Sequence, residues 1–204
     1  MKNPFSRRID LKELDDSELV ALAKEDKAAF GELYERYLQK IYSYVYYRTG
    51  NVHDAEDLTA KVFIRALSHI SNYVEKGVPF QAWLYRIAHN LVANWHRDQG
   101  RRKIIALDDY VVHSLKSEAP DRLSEEREER NQLLEAFHRL PEERQQLILL
   151  KFVERMSNAE IGAIMGRTEG AIKSLYHRTL LALREEMESI HTGDRSNRLR
   201  GHEG

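Results

Sequence analysis

The sequence has no cysteine, and its 204 residues include only four prolines and ten glycines. Without cysteine the chain can form neither disulfides nor thiolate metal sites, and a reducing compartment suits it. The scarcity of proline and glycine favours helices over a turn-rich β fold. No apolar run approaches the roughly 20 residues of a membrane-spanning helix, and none follows the basic start, so we expect neither membrane insertion nor a secretory signal. These absences predict a helical, cytoplasmic protein.

Catalytic motifs are also missing. The sequence contains no phosphate-binding glycine loop, dinucleotide fingerprint or nucleophile elbow. Its nine histidines are scattered, and His89 and His96 stand seven residues apart without carboxylates placed to complete a metal site. We therefore predict no catalytic residue, no metal site and no cofactor. An enzyme would require an unrecognised site in the tyrosine-rich first half of the chain.

The most informative stretch spans residues 78–103. Pro79 suits the first turn of a helix, and Gly100 suits its end. Between them one apolar stripe recurs with helical spacing: Phe80, Trp83, Leu84, Ile87, Ala88, Leu91, Val92 and Trp95. The opposite side carries Arg86, His89, Asn90, Ala93 and Arg97, with Asn94 beside it and Arg101, Arg102 and Lys103 after it. A core helix with a solvated polar face and a nucleic-acid-binding helix explain this pattern about equally well.

Three helices are predicted before this stretch. Asp15 and Glu18 form a capping box for a short helix, and a long second helix runs from Asp26 to Gly50. The third helix has an apolar line made of Ala55, Leu58, Val62, Ile64 and Leu67. This line leaves Asp54, Glu56, Asp57, Lys61 and Arg65 facing outward. Acidic residues in a first helical turn usually complement the helix dipole, which is the favoured explanation from the residues alone.

A helix-turn-helix is the most specific local pattern. Ser157 and Glu160 form a second capping box, Gly166 ends a short helix, and Thr168 caps the next, which we expect to reach about Met187. Small Gly162 lies where the two helices must cross closely. The residues expected to face outward at the start of the second helix, where a recognition helix meets DNA, are Arg167, Thr168, Glu169, Lys173, Ser174, His177 and Arg178. A plain helical hairpin is the alternative.

The two halves of the chain are separated by a segment without periodicity that contains Pro120. Charge also changes sign here: residues 78–103 have five basic residues against one acid, and residues 108–130 have eight acids against four basic residues. We therefore predict an all-α protein of two small helical domains joined by a flexible linker, the second a four-helix domain with the helix-turn-helix. The expected boundaries are a disordered start at 1–14, a first domain at 15–103, a linker at 104–122, a second domain at 123–190 and a disordered tail at 191–204.

In this order and spacing, the motifs resemble an extracytoplasmic-function (ECF) sigma factor of the sigma-70 family over roughly residues 15–187. The segments Asp54-Ala55-Glu56-Asp57-Leu58 with Phe63, and Trp83-Leu84-Tyr85-Arg86-Ile87-Ala88 with Asn90, look like region 2 of that family. Leu140-Pro141 through Arg184, with Gly170-Ala171-Ile172-Lys173-Ser174 and Arg178, looks like region 4. The chain departs from the family pattern at Ala60 and Lys61 and at Leu175 and Leu180.

The resemblance implies a subunit that directs bacterial core RNA polymerase to promoters and helps to melt them. The implied partners are core RNA polymerase, double-stranded and melted promoter DNA, and an anti-sigma factor. A helix-turn-helix repressor or activator without a sigma role is the alternative. It explains residues 140–187 but neither the acidic helix nor the polar face after Pro79.

The resemblance also implies a role for each group of outward residues. It places polymerase contacts at Asp54, Glu56, Asp57, Phe63 and Arg65. It places contacts to the −10 element at Tyr73, Lys76, Arg86, Asn90, Asn94, Arg97, Arg101 and Arg102. In this assignment Tyr73 stacks on an unpaired base and the arginines hold phosphates. Contacts to the −35 element fall on the seven outward residues of the predicted recognition helix.

Overall fold

The computed structural model describes residues 10–75, 77–99 and 125–200, and within these ranges its regular structure is entirely helical. The predicted linker lies outside the described residues, as do Lys76, Arg101 and Arg102. The helices are α1 (Asp16–Ala23), α2 (Lys27–Thr49), α3 (Val52–His69), α4 (Phe80–Gln99), α5 (Glu125–Arg139), α6 (Glu142–Ile148), α7 (Asn158–Met165) and α8 (Glu169–Arg200). We call residues 10–99 the N-terminal domain and residues 125–200 the C-terminal domain.

The ends of the N-terminal helices depend on residues close to them in sequence. The capping box of Asp15 and Glu18 is present at the start of α1, and Asp26 and Asn51 cap α2 and α3. Gly50 ends α2 with a φ angle of 64°, in the left-handed region that favours glycine. Short-range hydrogen bonds therefore set these boundaries as the sequence predicts.

The segment before α1 is more ordered than predicted. Asp10 caps a 3₁₀ turn at Leu11–Glu13, and Leu11 and Leu14 pack against the core. The Arg36 guanidinium donates hydrogen bonds to the carbonyl oxygens of Leu11 (3.3 Å) and Lys12 (3.1 Å). The prediction of disorder is therefore wrong for residues 10–14, because α2 supplies both an apolar surface and hydrogen-bond donors.

The C-terminal domain contains the predicted helix-turn-helix in α7 and α8. Ser157 and Glu160 form the capping box, and Gly166 ends α7 with a φ angle of 68°. A side chain at Gly162 would place its Cβ atom 2.6 Å from the carbonyl oxygen of Arg167. The two helices therefore approach as closely as the prediction for Gly162 required.

Two irregular features join α6 to α7. The chain passes through a π-helical turn at Leu149–Val153, and Arg155 then adopts a positive φ angle of 53°. Such π turns recur at functional sites, and a positive φ angle is uncommon for a residue other than glycine. Together these two features set the position of Glu154, which lies between them.

Helix α8 is longer than predicted. It runs to Arg200, so residues 191–200 are helical and not disordered, while residues 201–204 lie outside the described residues. Buried Ile190 anchors the helix beyond Met187, and an ion pair of 2.8 Å between Arg184 and Glu188 supports its outer face. An early stop would require a helix breaker, and Gly193 does not act as one.

The two domains pack against each other. Helix α4 lies along α7, and buried residues of both domains belong to one continuous hydrophobic core. This contact is not evident from the sequence, in which the two domains are separated by the long predicted linker.

Candidate protein and nucleic-acid interfaces

The outer face of α3 carries the acids that the sequence assigns to a protein contact. Glu56, Asp57 and Arg65 are exposed, and Asp57 forms an ion pair of 2.5 Å with Lys61. Asp54 is half-buried, and its Oδ1 atom accepts a hydrogen bond of 3.3 Å from the indole of Trp95. The acids therefore form a charged face on α3. Asp54 links this face to α4 through its hydrogen bond with Trp95.

Three apolar residues of α3 were placed on the wrong side by the sequence analysis. Ile64 and Leu67 were predicted to be buried, yet they are 64% and 44% exposed. Phe63 was predicted to bind a partner, yet it is only 5% exposed, with its ring edge-on to Tyr34 at a centroid distance of 4.7 Å. At 100° per residue Phe63 joins the inward stripe that includes Val62, and its neighbour Ile64 is turned outward.

The exposed apolar residues of α3 are the ones that sequence reasoning missed. Ile64, Leu67 and Val52 are large, exposed and on the same helix as the acids. An apolar patch rimmed by charge is typical of a protein-binding surface. The sequence did contain a sign that Ile64 faces outward. Leu58 and Val62 follow each other at i, i+4 spacing, and Ile64 does not continue that line.

Helix α4 separates its two faces as predicted. Leu84, Ala88 and Val92 are fully buried, whereas Arg86, Asn90 and Arg97 are exposed. Asn94 is half-buried, and its side-chain oxygen accepts a hydrogen bond of 3.1 Å from Arg97. Amide and guanidinium groups thus occupy one accessible face, whose chemistry suits base edges and phosphates.

Tyr73 does not present its ring to solvent. It is 7% exposed, its hydroxyl group donates a hydrogen bond of 3.1 Å to the carbonyl oxygen of Val78, and its ring packs against Phe80 and Trp83. Burial raises the pKa of Tyr73 to about 12. In this conformation the ring of Tyr73 therefore holds the loop against α4, and its role as a base stacker stays a prediction.

A surface cavity of about 350 Å³ lies where this loop meets α4. Its lining residues are Asn72, Tyr73, Val74, Val78, Ala82, Trp83, Arg86 and Ala163. Trp83 is half-buried and offers an aromatic wall, so it replaces Tyr73 as the better candidate for stacking. Because Trp83 lies on the apolar stripe, the sequence analysis assigned it to the core and not to this surface. Ala163 belongs to α7, so the C-terminal domain forms part of the wall.

The seven predicted outward residues around the start of α8 are all exposed. Thr168 accepts a hydrogen bond of 3.2 Å from the backbone N–H of Ala171, and Glu169 forms an ion pair of 2.9 Å with Lys173. Arg167 is paired with Glu143 of α6. Leu175, one of the positions that depart from the family pattern, is buried in the helix-turn-helix. An apolar residue at this position therefore contributes to packing.

Polar contacts between the domains were not predicted. Arg48 pairs with Glu142 at 2.7 Å, Gln146 donates to Tyr44 at 3.2 Å and to His89 at 2.6 Å, and the Tyr85 hydroxyl donates to Glu154. Burial raises the pKa of Glu154 to about 7. The partners are separated by 57 to 102 positions in the chain, beyond the reach of any periodicity argument.

Within the described ranges, no three His, Asp or Glu residues are grouped so that they could hold a metal ion. In the same part of the chain, no helix combines the length and apolar character needed to cross a membrane.

Two family models match the chain. One is described as Sigma-70 region 2 and matches residues 33–102, and the other is described as Sigma-70, region 4 and matches residues 130–183. The first match covers α3 and α4, and the second covers the helix-turn-helix. The two matches occur in the order that the sequence motifs predicted.

Similar proteins come from several bacteria. The ECF RNA polymerase sigma factor BldN of Streptomyces coelicolor is 37% identical over 167 residues, which are 81% of this chain and 63% of BldN. SigW of Bacillus subtilis, also an ECF RNA polymerase sigma factor, is 30% identical over 178 residues, which are 82% of this chain and 93% of SigW. The chain therefore spans less than two thirds of BldN and nearly all of SigW.

A solved structure shares the fold. CnrH in complex with the cytosolic domain of CnrY superposes with a TM-score of 0.59 at 21% sequence identity, over 85% of this chain and 97% of CnrH. At this identity the likeness concerns the helical architecture alone.

Proposed function

This chain belongs to the ECF sigma factors of the sigma-70 family, and from that premise we propose that it directs bacterial core RNA polymerase to specific promoters and helps to melt them. The proposal includes core polymerase, promoter DNA and an anti-sigma factor as partners, and the cytoplasm as the location. In family terms the N-terminal domain is region 2 and the C-terminal domain is region 4.

The observation that carries the proposal is the composite outer face of α3. A DNA-binding repressor needs only the helix-turn-helix, and it gives no reason for exposed acids beside exposed Ile64 and Leu67. A protein partner explains both, since it would bury the apolar residues and pair with Glu56 and Asp57. We propose that this partner is core polymerase.

The DNA contacts divide between the two regions. In region 4, Lys173, His177 and Arg178 lie on one exposed side of α8 and suit the major groove of the −35 element. In region 2, Asn90 and Arg97 face solvent on α4, and Trp83 and Arg86 line the adjacent cavity. A base leaving the duplex costs a few kcal/mol and needs stacking and hydrogen bonds in compensation, which this cavity and face can supply at the −10 element.

Titration of core polymerase with charge-reversal variants tests the proposal. Asp57→Lys places a cation on the α3 face next to Lys61 and should weaken binding to core at least tenfold while leaving the helical content unchanged. Glu25→Lys makes the same charge change on an exposed acid between α1 and α2 and should bind as the wild type does. If both the wild type and the Asp57→Lys variant bind promoter duplex but not core, the result would favour the alternative, a helix-turn-helix repressor or activator without a sigma role.

A further inference from the structure

The acids on the outer face of α3 already have partners within the same chain. Asp54 accepts a hydrogen bond from an indole of α4, and the Nδ1 atom of His53 lies 3.9 Å from a carboxylate oxygen of Glu56. Asp57 is held more closely than Glu56, since its Oδ2 atom lies 2.5 Å from the Nζ atom of Lys61. Lys61 therefore occupies a carboxylate that the proposed function assigns to polymerase.

Lys61 lies in the middle of this proposed polymerase-binding face. It is one helical turn after Asp57 and three residues before Ile64, and all three side chains are exposed on the same side of α3. It is also one of the positions at which the chain departs from the family pattern. A protein that covers Asp57 and Ile64 together must therefore cover Lys61 as well.

The charge of the face defines the chemistry of the partner that it fits. A partner that pairs with Glu56 and Asp57 must present cations to them. In the free chain Lys61 already pairs with Asp57, so a cation of the partner has to displace it. The displaced Lys61 then stands beside that cation, and like charges in contact oppose binding.

Exposure decides where this competition matters. The side chains of Lys61 and Asp57 are 53% and 63% exposed, and an ion pair that is so open to water contributes little to the stability of the fold. A bound partner removes water from the same face, and charge interactions there become stronger as the effective dielectric constant falls. The pair therefore affects the affinity for a partner more than the stability of the free chain.

We propose that Lys61 lowers the affinity of this chain for core polymerase, because it competes for Asp57 and places a cation against a basic surface of the partner. This inference rests on the proposed sigma function. Lys61 thereby raises the concentration of the chain at which half of the core polymerase is occupied.

Arg65 provides a matched comparison on the same face. It is exposed one turn after Lys61, and within the described ranges its guanidinium forms no ion pair. A cation without an acid of its own chain can pair with an acid of the partner, which suits the polymerase contact proposed for Arg65. The same substitution to glutamine is therefore expected to have opposite effects at the two positions.

Titration of core polymerase with the full chain measures both effects. We expect Lys61→Gln to tighten binding about three- to tenfold and Arg65→Gln to weaken it by a similar factor. Lys61→Arg keeps the charge, and Lys24→Gln removes an exposed cation that follows α1, so both should bind as the wild type does. Unchanged binding of Lys61→Gln would overturn the proposal, and so would weaker binding, which would make Lys61 a direct contact to an acid of the partner.

A double-mutant cycle tests whether Lys61 acts through Asp57. In an Asp57→Asn chain the competition is absent, so Lys61→Gln should tighten binding by a smaller factor than in the wild type. An equal factor in both chains would overturn the competition for Asp57. Circular dichroism checks that each variant keeps its helical content.

Ionic strength distinguishes charge from packing. The Debye length falls from about 10 Å at about 0.1 M salt to about 3 Å at about 1 M, so the gain from Lys61→Gln should shrink over this range. A gain that persists at high salt would show that the lysine stem, and not its charge, opposes binding, and it would overturn the proposal.

The outcomes also separate the role of Lys61 from the sigma function. If the wild type binds core and Asp57→Lys binds it more weakly, but Lys61→Gln changes nothing, the sigma function stands and the role of Lys61 is wrong. If neither the wild type nor Lys61→Gln binds core at any salt concentration, the sigma function fails, and there is no affinity for Lys61 to lower.

Discussion

Tyr85 of α4 donates its hydroxyl hydrogen to the carboxylate of Glu154, 69 positions later in the chain. This contact joins the two domains at a point where Glu154 is half-buried. Lys40 of α2 and the rings of Tyr44 and Tyr85 are the other titratable groups whose interactions with this carboxylate are evident. Neither Lys40 nor the Tyr85 hydrogen bond offsets the loss of hydration, so the pKa of Glu154 is raised from 4.5 to about 7.

The raised pKa predicts that the packing of the two domains against each other weakens as pH rises. A carboxyl group with a higher pKa in the packed arrangement binds its proton more tightly there than in separated domains, where it has the ordinary value. Its stabilising contribution is complete below pH 4.5 and is lost as pH rises to about 7. Between pH 6 and pH 8 the equilibrium constant for packing of the two domains should fall about tenfold. The distance between spin labels at Lys24→Cys and Arg184→Cys, one exposed position on each domain, measures this change.

Glu154→Gln isolates this contribution. Glutamine can still accept the Tyr85 hydrogen bond but does not ionise, so the two domains of the variant should stay packed at pH 8. His89 lies at the same interface and is present in both chains. The difference between the two pH curves therefore reports Glu154 alone, and parallel curves would contradict the prediction.

Gly162 should be intolerant of even one methyl group. Gly162→Ala places a Cβ atom 2.6 Å from the carbonyl oxygen of Arg167, so α7 and α8 must shift, at a cost of about 1–3 kcal/mol in the free energy of unfolding. Gly31→Ala, on α2 with nothing within 4 Å of its Cβ position, should instead stabilise by about 0.5–1 kcal/mol. Urea denaturation followed by circular dichroism compares the two, and equal midpoints would refute the close crossing.

Lys173 should contribute to −35 binding through charge. If it holds one phosphate, Lys173→Ala should reduce the slope of log K against log salt by about 0.9. The variant also frees Glu169 from its ion pair, which places an unpaired acid near the DNA. Arg184→Ala removes an exposed cation further along the same helix and should leave the slope unchanged. A loss confined to one base pair, of about 1–3 kcal/mol, would instead assign Lys173 to base recognition.

Asn90 and Asn94 should act in promoter opening. Neither side chain belongs to the hydrophobic core, so Asn90→Ala with Asn94→Ala should change the free energy of unfolding by no more than about 0.5 kcal/mol. The same variant should slow or abolish melting, while closed-complex binding through region 4 persists. Permanganate reactivity of promoter thymines measures melting, and filter binding measures the closed complex. Normal reactivity in the double variant would show that this face does not hold the melted strand.

Local contacts explain which predictions succeed. The capping boxes at Asp15 and Ser157 and the helix ends at Gly50 and Gly166 each depend on residues within about four positions. The outward position of Lys173 depends on helical periodicity in the same way. The order of these motifs was sufficient for the family assignment.

Long-range packing explains where prediction failed. Phe63 and Ile64 are adjacent and both apolar, and Phe63 is the buried one, with its ring against Tyr34 of α2. Tyr73 is buried because Phe80 and Trp83 cover its ring, although it was predicted to stack on an unpaired base. In each case the packing of neighbouring elements decides which side chain is buried.

By itself the sequence determined the helices, their ends, the helix-turn-helix and the family, because these depend on hydrogen bonds and periodicity within a few residues. Only the tertiary structure decided that region 4 folds back on region 2. The contacts of Arg48 with Glu142, Gln146 with His89, and Tyr85 with Glu154 join residues that no repeat or spacing relates. A polar side chain looks the same in a sequence whether it faces water or another domain, and three-dimensional packing alone distinguishes the two.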